Sequence, residues 1–221
     1  MEKNRVFFFA PNLVGYLRAL LYLSAFIVHT FNFWQLSIIL YTLGFLLDEL
    51  DGRLAQQFDQ KTQFGAALDM VLDRCATTGL CLILAQLYPR FLVIFIVLIA
   101  LDISSHFYVV LATHLLAKSS HKDGNIWSKN WLVSLYYNQK AFFDALIAGN
   151  ELFYILLYIQ AYGISWQLLV LGIPLNLWQI LLGIVFPLYS LKQLINIVQL
   201  VLAANQVALM DWQSRVSEKI N

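Results

Sequence analysis

A chain of 221 residues that is 60% hydrophobic and only 12% charged, with a mean hydropathy of +0.69, reads as a membrane protein before any motif is considered. Its formal net charge of +1, without an arginine-rich segment to neutralise phosphates along a strand, excludes nucleic acid as a partner. Cys75 and Cys81 stand six apart and point to different sides of one predicted helix, so they read as small apolar packers rather than a disulfide.

In chain order, residues 2–9 place Lys3 and Arg5 ahead of Val6 and Phe7–Phe9, which predicts a short helix lying in the membrane interface before Pro11 opens the first span. Pro11 and Arg18 interrupt the apolar run and no small-x-small cleavage site follows, so the expectation is an uncleaved span. Stretches long enough to cross a hydrocarbon core, about 20 residues, lie near 12–31, 34–57, 63–87, 91–117, 141–162 and 176–208. The expected fold is all-α: a polytopic membrane protein of six transmembrane helices, forming a single domain over residues 1–221 with no internal repeat.

The connections alternate in charge. His29 to Trp34 carries no Lys or Arg, and Arg53 to Lys61 carries two. Arg90 stands alone before the fourth span, whereas the 118–140 loop carries Lys118, Lys122, Lys129 and Lys140. With Lys3, Arg5, Arg215 and Lys219, one side collects ten basic residues against one, which predicts that both termini are cytosolic. Arg18, Arg74 and Lys192 fall inside predicted spans, where a lone cation is costly unless it is paired or snorkels. Arg18 reads either as a phosphate ligand or as an offset to nearby acids, and Arg74, beside Asp73, as a counter-ion.

Those acids lie in DELDGRLAQQFDQKTQFGAALDMVLD, residues 48–73. Asp48 and Asp51 are three apart and Asp69 and Asp73 four apart, so on helices each pair shares a face, with about 5–6 Å between Cβ atoms. Two such faces turned together make an all-oxygen cage suited to hard divalent ions such as Mg²⁺ or Mn²⁺. Gly52, Ala55, Gly65, Ala66 and Ala67 leave clearance for a bulky phosphorylated ligand. A solvated interhelical loop is the bland alternative, but Asp69 and Asp73 fall well inside an apolar span, where acids mark function. A cation pathway would instead set its carboxylates near the bilayer midplane. About two divalent ions would offset the charge of Asp48, Asp51 and Asp69, and Asp73, one turn further along the third helix, is the candidate general base.

Written out, D-x-x-D-G-x-x-A, nine residues, then G-x-x-x-D-x-x-x-D resembles the signature of the CDP-alcohol phosphatidyltransferases. Asp48, Asp51, Gly52, Ala55, Gly65, Asp69 and Asp73 stand at the family positions, while Gln56 replaces the family's usual arginine. Arg53 and Lys61 are the nearby cations able to compensate. PNLVGYLR at 11–18, DRCATTGL at 73–80, LYP at 87–89, LDISSHF at 101–107, SHK at 120–122, LYY at 135–137 and AGNELFYILLY at 148–158 are similar to the eukaryotic phosphatidylinositol synthases, a branch of that family.

The resemblance implies transfer of a phosphatidyl group from CDP-diacylglycerol to myo-inositol with release of CMP, in the lipid of the endoplasmic reticulum membrane, by a homodimer whose active sites face the cytosol. Serine, glycerol phosphate or choline as acceptor is the alternative. It implies Asp48, Asp51, Asp69 and Asp73 as ligands of Mg²⁺ or Mn²⁺, Asp73 as base, and Asn12, Gly52, Ala55, Gln56, Thr62 and Gly65 as contacts to CDP-diacylglycerol. Asn12 and Thr62 read equally well as helix N-caps. Among polar groups of the fourth and fifth spans, Asp102, His106, Asn150 and Glu151 are candidates to meet a hydroxyl-rich acceptor, with Lys122 on the adjoining loop. Asp102 and His106 are also spaced as a simple i,i+4 pair. The motif holds no serine, cysteine or histidine to serve as a covalent nucleophile, so the alcohol is expected to attack phosphorus directly.

Overall fold

The computed structural model describes residues 3–118, 130–163, 167–170 and 173–220. They fall into two compact units, Met1–Leu87 and Tyr88–Asn221.

The first unit opens with a 3₁₀ helix, Lys3–Phe8, followed by α1 (Ala10–Thr30), α2 (Trp34–Gln57) and α3 (Gln63–Leu87). Pro11 in the first turn suits α1, because its missing N–H is one that no helix start can satisfy internally. The α1–α2 turn closes on Asn32 in the left-handed region (φ +62°), a conformation that asparagine tolerates better than most residues. The α2–α3 turn does the same with Asp59 (φ +51°), while Gln60 donates its backbone N–H to the Ala55 carbonyl at 3.0 Å. Helix α1 packs against both α2 and α3. Small residues let aromatic rings fill the interfaces: a Cβ at Gly44 would lie 2.8 Å from the Tyr22 ring, and one at Gly79 2.3 Å from the Phe26 ring.

The second unit begins with a 3₁₀ turn at Pro89–Phe91 and continues as α4 (Leu92–Lys118), α5 (Trp131–Asn138), α6 (Lys140–Ala161) and the 44-residue α7 (Leu177–Ile220). Both α4 and α6 pack on α7. Polar groups stitch its helices: Gln193 Nε2 donates to Asn150 Oδ1 at 2.8 Å, and Gln199 Nε2 to the Tyr137 hydroxyl at 2.8 Å. Buried Lys192 donates to Asn196 Oδ1 and lies over the Tyr136 ring, which offsets its charge inside an apolar helix.

Among the described residues, each of the six expected spans falls largely within one of the six longest helices, although α7 runs on to Ile220, past the expected end at 208. Four stretches of the described residues are long and apolar enough to cross a membrane: Ala10–Thr30, Pro89–Ala117, Lys140–Ala161 and Leu177–Val216. Helices α2 and α3 are less apolar because they carry Asp48, Glu49, Asp51 and Arg53, and Asp69, Asp73 and Arg74. The chain is thus a polytopic α-helical membrane protein. Two features go beyond the expected plan. Helix α5 lies within the 118–140 connection, its start capped by Asn130, whose side chain accepts from the N–H groups of Leu132 and Val133. Before α7, β1 (Gln167–Val170) and β2 (Ile173–Asn176) pair antiparallel, with Gln167 opposite Asn176.

Candidate active site

The i,i+3 and i,i+4 spacings do what helical geometry requires, and α1 supplies what the carboxylates need. Asp48 and Asp51 project from the second half of α2, Asp69 and Asp73 from the first half of α3, and Arg18 of α1 reaches between them. Arg18 Nη1 lies 2.6 Å from Asp51 Oδ2 and 2.8 Å from Asp69 Oδ1. Its Nη2 lies 2.7 Å from Asp48 Oδ1 and 2.6 Å from Asp73 Oδ1. Each terminal nitrogen therefore joins one aspartate of α2 to one of α3. Of the two readings of Arg18, the structure shows the counter-charge. Arg74 Nη2 adds a looser approach of 3.6 Å to Asp73 Oδ2.

The guanidinium is fully buried and Asp51 nearly so, yet Asp48, Asp69 and Asp73 are partly open, Asp69 most of all at 47% exposure of its side chain. Four carboxylates around one guanidinium leave a formal charge of −3, an arrangement that calls for further cations. One oxygen each from Asp48, Asp51 and Asp69 lie within 4.8 Å of one another, a hard all-oxygen donor set that fits a divalent ion. Asp73 is not one of this trio.

Beside the cluster is a cleft of about 310 Å³, lined among others by Asn12, Gly52, Ala55, Gln56, Thr62 and Gly65, the six residues expected to contact the nucleotide-activated lipid. Asp51 and Asp69 also line it, so the cleft reaches the carboxylates on Nη1. The loop that floors it is fastened to α1, because the Ala10 N–H donates to Gln60 Oε1 at 2.9 Å. Thr62 Oγ1 accepts from the Gly65 N–H at 3.0 Å and thus caps α3 while facing the cleft. Asn12 is not a cap: the N-cap of α1 is Phe9, and Asn12 Nδ2 donates to the Val6 carbonyl at 2.6 Å, tying the 3₁₀ segment to α1.

The two signature glycines differ in surroundings. A Cβ at Gly65 would stand 3.0 Å from Asn12 Oδ1 and 3.1 Å from Thr62 Oγ1, whereas one at Gly52 would meet nothing within 4 Å. Of the two cations expected to compensate for Gln56, Lys61 lines the cleft with Gln56 itself. Arg53 instead pairs with Glu49 on the exposed face of α2.

The acceptor candidates belong to the second unit. His106 Nδ1 lies 2.8 Å from the Asp102 carbonyl oxygen and 3.6 Å from Asp102 Oδ1, so these two form the i,i+4 pair that their spacing allows. Asn150 Nδ2 approaches Glu151 Oε1 at 3.4 Å, while Asn150 Oδ1 is engaged by Gln193. Lys122 lies outside the described residues. What sequence reasoning missed is that Arg18 touches all four aspartates; the signals were its place inside an apolar span and the excess of acids in the next two helices.

Comparison with known proteins gives this geometry a family. The family model described as CDP-alcohol phosphatidyltransferase matches residues 8–212. The chain belongs to the CDP-alcohol phosphatidyltransferase family. The match runs through both units and takes in the whole acidic signature. Individual family members are similar over nearly the full length: CDP-diacylglycerol–inositol 3-phosphatidyltransferase 1 of Arabidopsis thaliana is 40% identical over 97% of this chain and 95% of the plant protein. The CDP-diacylglycerol–inositol 3-phosphatidyltransferases of Drosophila melanogaster (37% identical; 97% and 91% covered) and Homo sapiens (35%; 99% and 100%) are likewise similar. No solved structure matches the chain significantly. Gln56, which stands where the resemblance leads one to expect arginine, lines the cleft together with Lys61.

Proposed function

We propose that the chain transfers the phosphatidyl group of CDP-diacylglycerol to myo-inositol, forming phosphatidylinositol and CMP. The observation that carries this reading is that all six expected nucleotide contacts line one cleft ending on Asp51 and Asp69. The full-length likeness to CDP-diacylglycerol–inositol 3-phosphatidyltransferases supports inositol as the acceptor.

The cluster divides the work by the two nitrogens of Arg18. On the Nη1 side, Asp51 and Asp69 border the cleft, where Asn12, Thr62, Gln56 and Lys61 would hold the CDP portion. On the Nη2 side, Asp73 does not border that cleft, which supports a role apart from the nucleotide: it would take the proton of an incoming hydroxyl. The hydroxyl oxygen bonds to the phosphorus bearing diacylglycerol, the bridge to CMP breaks, and CMP leaves through the cleft. In this reading the base and the leaving group are served by different carboxylates of one cluster, as an in-line displacement needs. Two Mg²⁺ or Mn²⁺ ions, held by Asp48, Asp51 and Asp69 with help from Asp73, would neutralise the charge building on the leaving phosphate. Asp102, His106, Asn150, Glu151 and Lys122 are the proposed contacts to the acceptor.

We read α1, α2, α3, α4, α6 and α7 as six spans of one functional domain in the endoplasmic reticulum membrane. The basic-residue asymmetry supports cytosolic termini and a cytosolic site. The resemblance alone supports a homodimer.

The test uses purified full-length protein in detergent or lipid, CDP-diacylglycerol, Mg²⁺ or Mn²⁺, and labelled acceptors. Labelled inositol should enter phosphatidylinositol with one CMP released for each molecule formed, and serine, glycerol phosphate and choline should not be incorporated. Uptake of one of these in place of inositol would overturn the acceptor; no CMP release with any acceptor would overturn the transferase reading. The same assay examines position 56. Lys61→Ala should raise KM for CDP-diacylglycerol about tenfold, the scale of one lost charge-assisted hydrogen bond, with KM for inositol nearly unchanged. Adding Gln56→Arg should recover part of the loss, and Arg53→Ala should have no such effect. An unaltered KM in Lys61→Ala would show that other groups hold the diphosphate.

A further inference from the structure

We propose that Arg18 is a tethered counter-cation that holds the aspartate cage together in the metal-free protein and competes with divalent ions for the same carboxylates, thereby setting their affinity. The inference rests on the reading of Asp48, Asp51 and Asp69 as metal ligands.

The geometry supports competition rather than simple neighbourhood. All four aspartates lie at 2.6–2.8 Å from the terminal nitrogens of Arg18, and three of them are those whose oxygens converge within 4.8 Å. The guanidinium therefore holds the same three carboxylates that an ion would need. Nε of Arg18 is buried without a hydrogen-bond partner, so the head is held through its terminal nitrogens. No solvent reaches the side chain, and its charge is permanent, so the cage cannot shed this cation by dilution or by titration.

Position in the fold explains why such a group is useful. The two carboxylate pairs sit on different helices, α2 and α3, and repel one another unless a cation stands between them. A guanidinium bridging α2 to α3 through each of two nitrogens keeps the oxygens gathered before an ion arrives. The residual charge of −3 still draws divalent cations, but each must displace or share a cation that cannot diffuse away. Removing Arg18 should thus have two opposed effects: the metal-free protein loses its cross-link, and the loaded protein gains affinity.

The experiment measures Mn²⁺ binding to detergent-solubilised full-length protein by the loss of the free-ion electron paramagnetic resonance signal, and thermal unfolding with chelator or with Mn²⁺. Arg18→Gln should bind Mn²⁺ at least tenfold more tightly than wild type. Its unfolding temperature should fall in chelator and recover with Mn²⁺, a larger metal-induced shift than in wild type. Arg18→Lys, which keeps the charge on a single nitrogen, should lie between the two and carries the affinity comparison if the glutamine variant cannot be purified. Equal or weaker Mn²⁺ binding in these variants would overturn the proposal, because Arg18 would then organise the site without competing. Failure of wild-type protein to bind Mn²⁺, or binding unaffected by Asp69→Asn, would instead remove the metal-site reading beneath it.

Discussion

Asp69→Asn should bring turnover down by about a thousandfold or more at ordinary metal concentrations. Asp69 is one of the three carboxylates whose oxygens converge, it is the most solvent-open of the four, and it borders the nucleotide cleft. Asparagine keeps the shape and still offers an oxygen to Arg18 Nη1, now 2.8 Å away, so the helices stay in place. What it removes is a full negative charge from a divalent-ion site. A Lewis-acid contribution to phosphoryl transfer is worth several kcal/mol, and about 4 kcal/mol corresponds to roughly a thousandfold in rate. Raising Mn²⁺ should rescue part of the loss, since occupancy is affected along with chemistry. The check is a metal titration of inositol incorporation with folding followed in parallel; wild-type turnover without added metal would remove Asp69 from the ligand set.

Asp73→Asn should separate rate from binding. This aspartate shares Arg18 Nη2 with Asp48, has Arg74 at 3.6 Å, and neither joins the converging trio nor lines the cleft. As the general base it contributes chiefly to the proton transfer and only secondarily to holding the ions, so its loss should lower turnover by roughly 10²–10⁴ while CDP-diacylglycerol binds nearly as in wild type. Equilibrium binding of the lipid nucleotide and single-turnover rates on the same preparation decide the point. Loss of nucleotide affinity as severe as in Asp69→Asn would make Asp73 chiefly a metal ligand.

The acidic signature was legible because its physics is local. Helical spacing puts Asp48 with Asp51 and Asp69 with Asp73, and the short α2–α3 connection keeps Gly52, Ala55, Gln56, Thr62 and Gly65 within reach of one another. The long helices were legible for a similar reason, since each is a sustained apolar run. Arg18 was legible only as one of two readings, because its partners lie 30 to 55 residues away and depend on how α1 crosses α2 and α3. Asn150 was ambiguous on the same ground: its partner Gln193 comes from α7, 43 residues on. Helix α5 is too short to show a clear helical period, although Asn130 marks its start. The strands before α7 sit in a run, QLLVLGIPLN, without the polar alternation that announces a half-buried strand.

The contrast between Gly52 and Gly65 bears on what mutational surveys of this chain would report. Position 65 is closed by the protein itself, through Asn12 and Thr62, so a survey scored on folding or on yield would register it. Position 52 has open space where a side chain would go, and the residue lines the cleft, so the same survey would pass over it. Any intolerance there is imposed by the occupant of the cleft and surfaces only when catalysis is scored. Comparing the two kinds of survey, position by position, would trace the outline of the bound substrate from the protein's own tolerance to change.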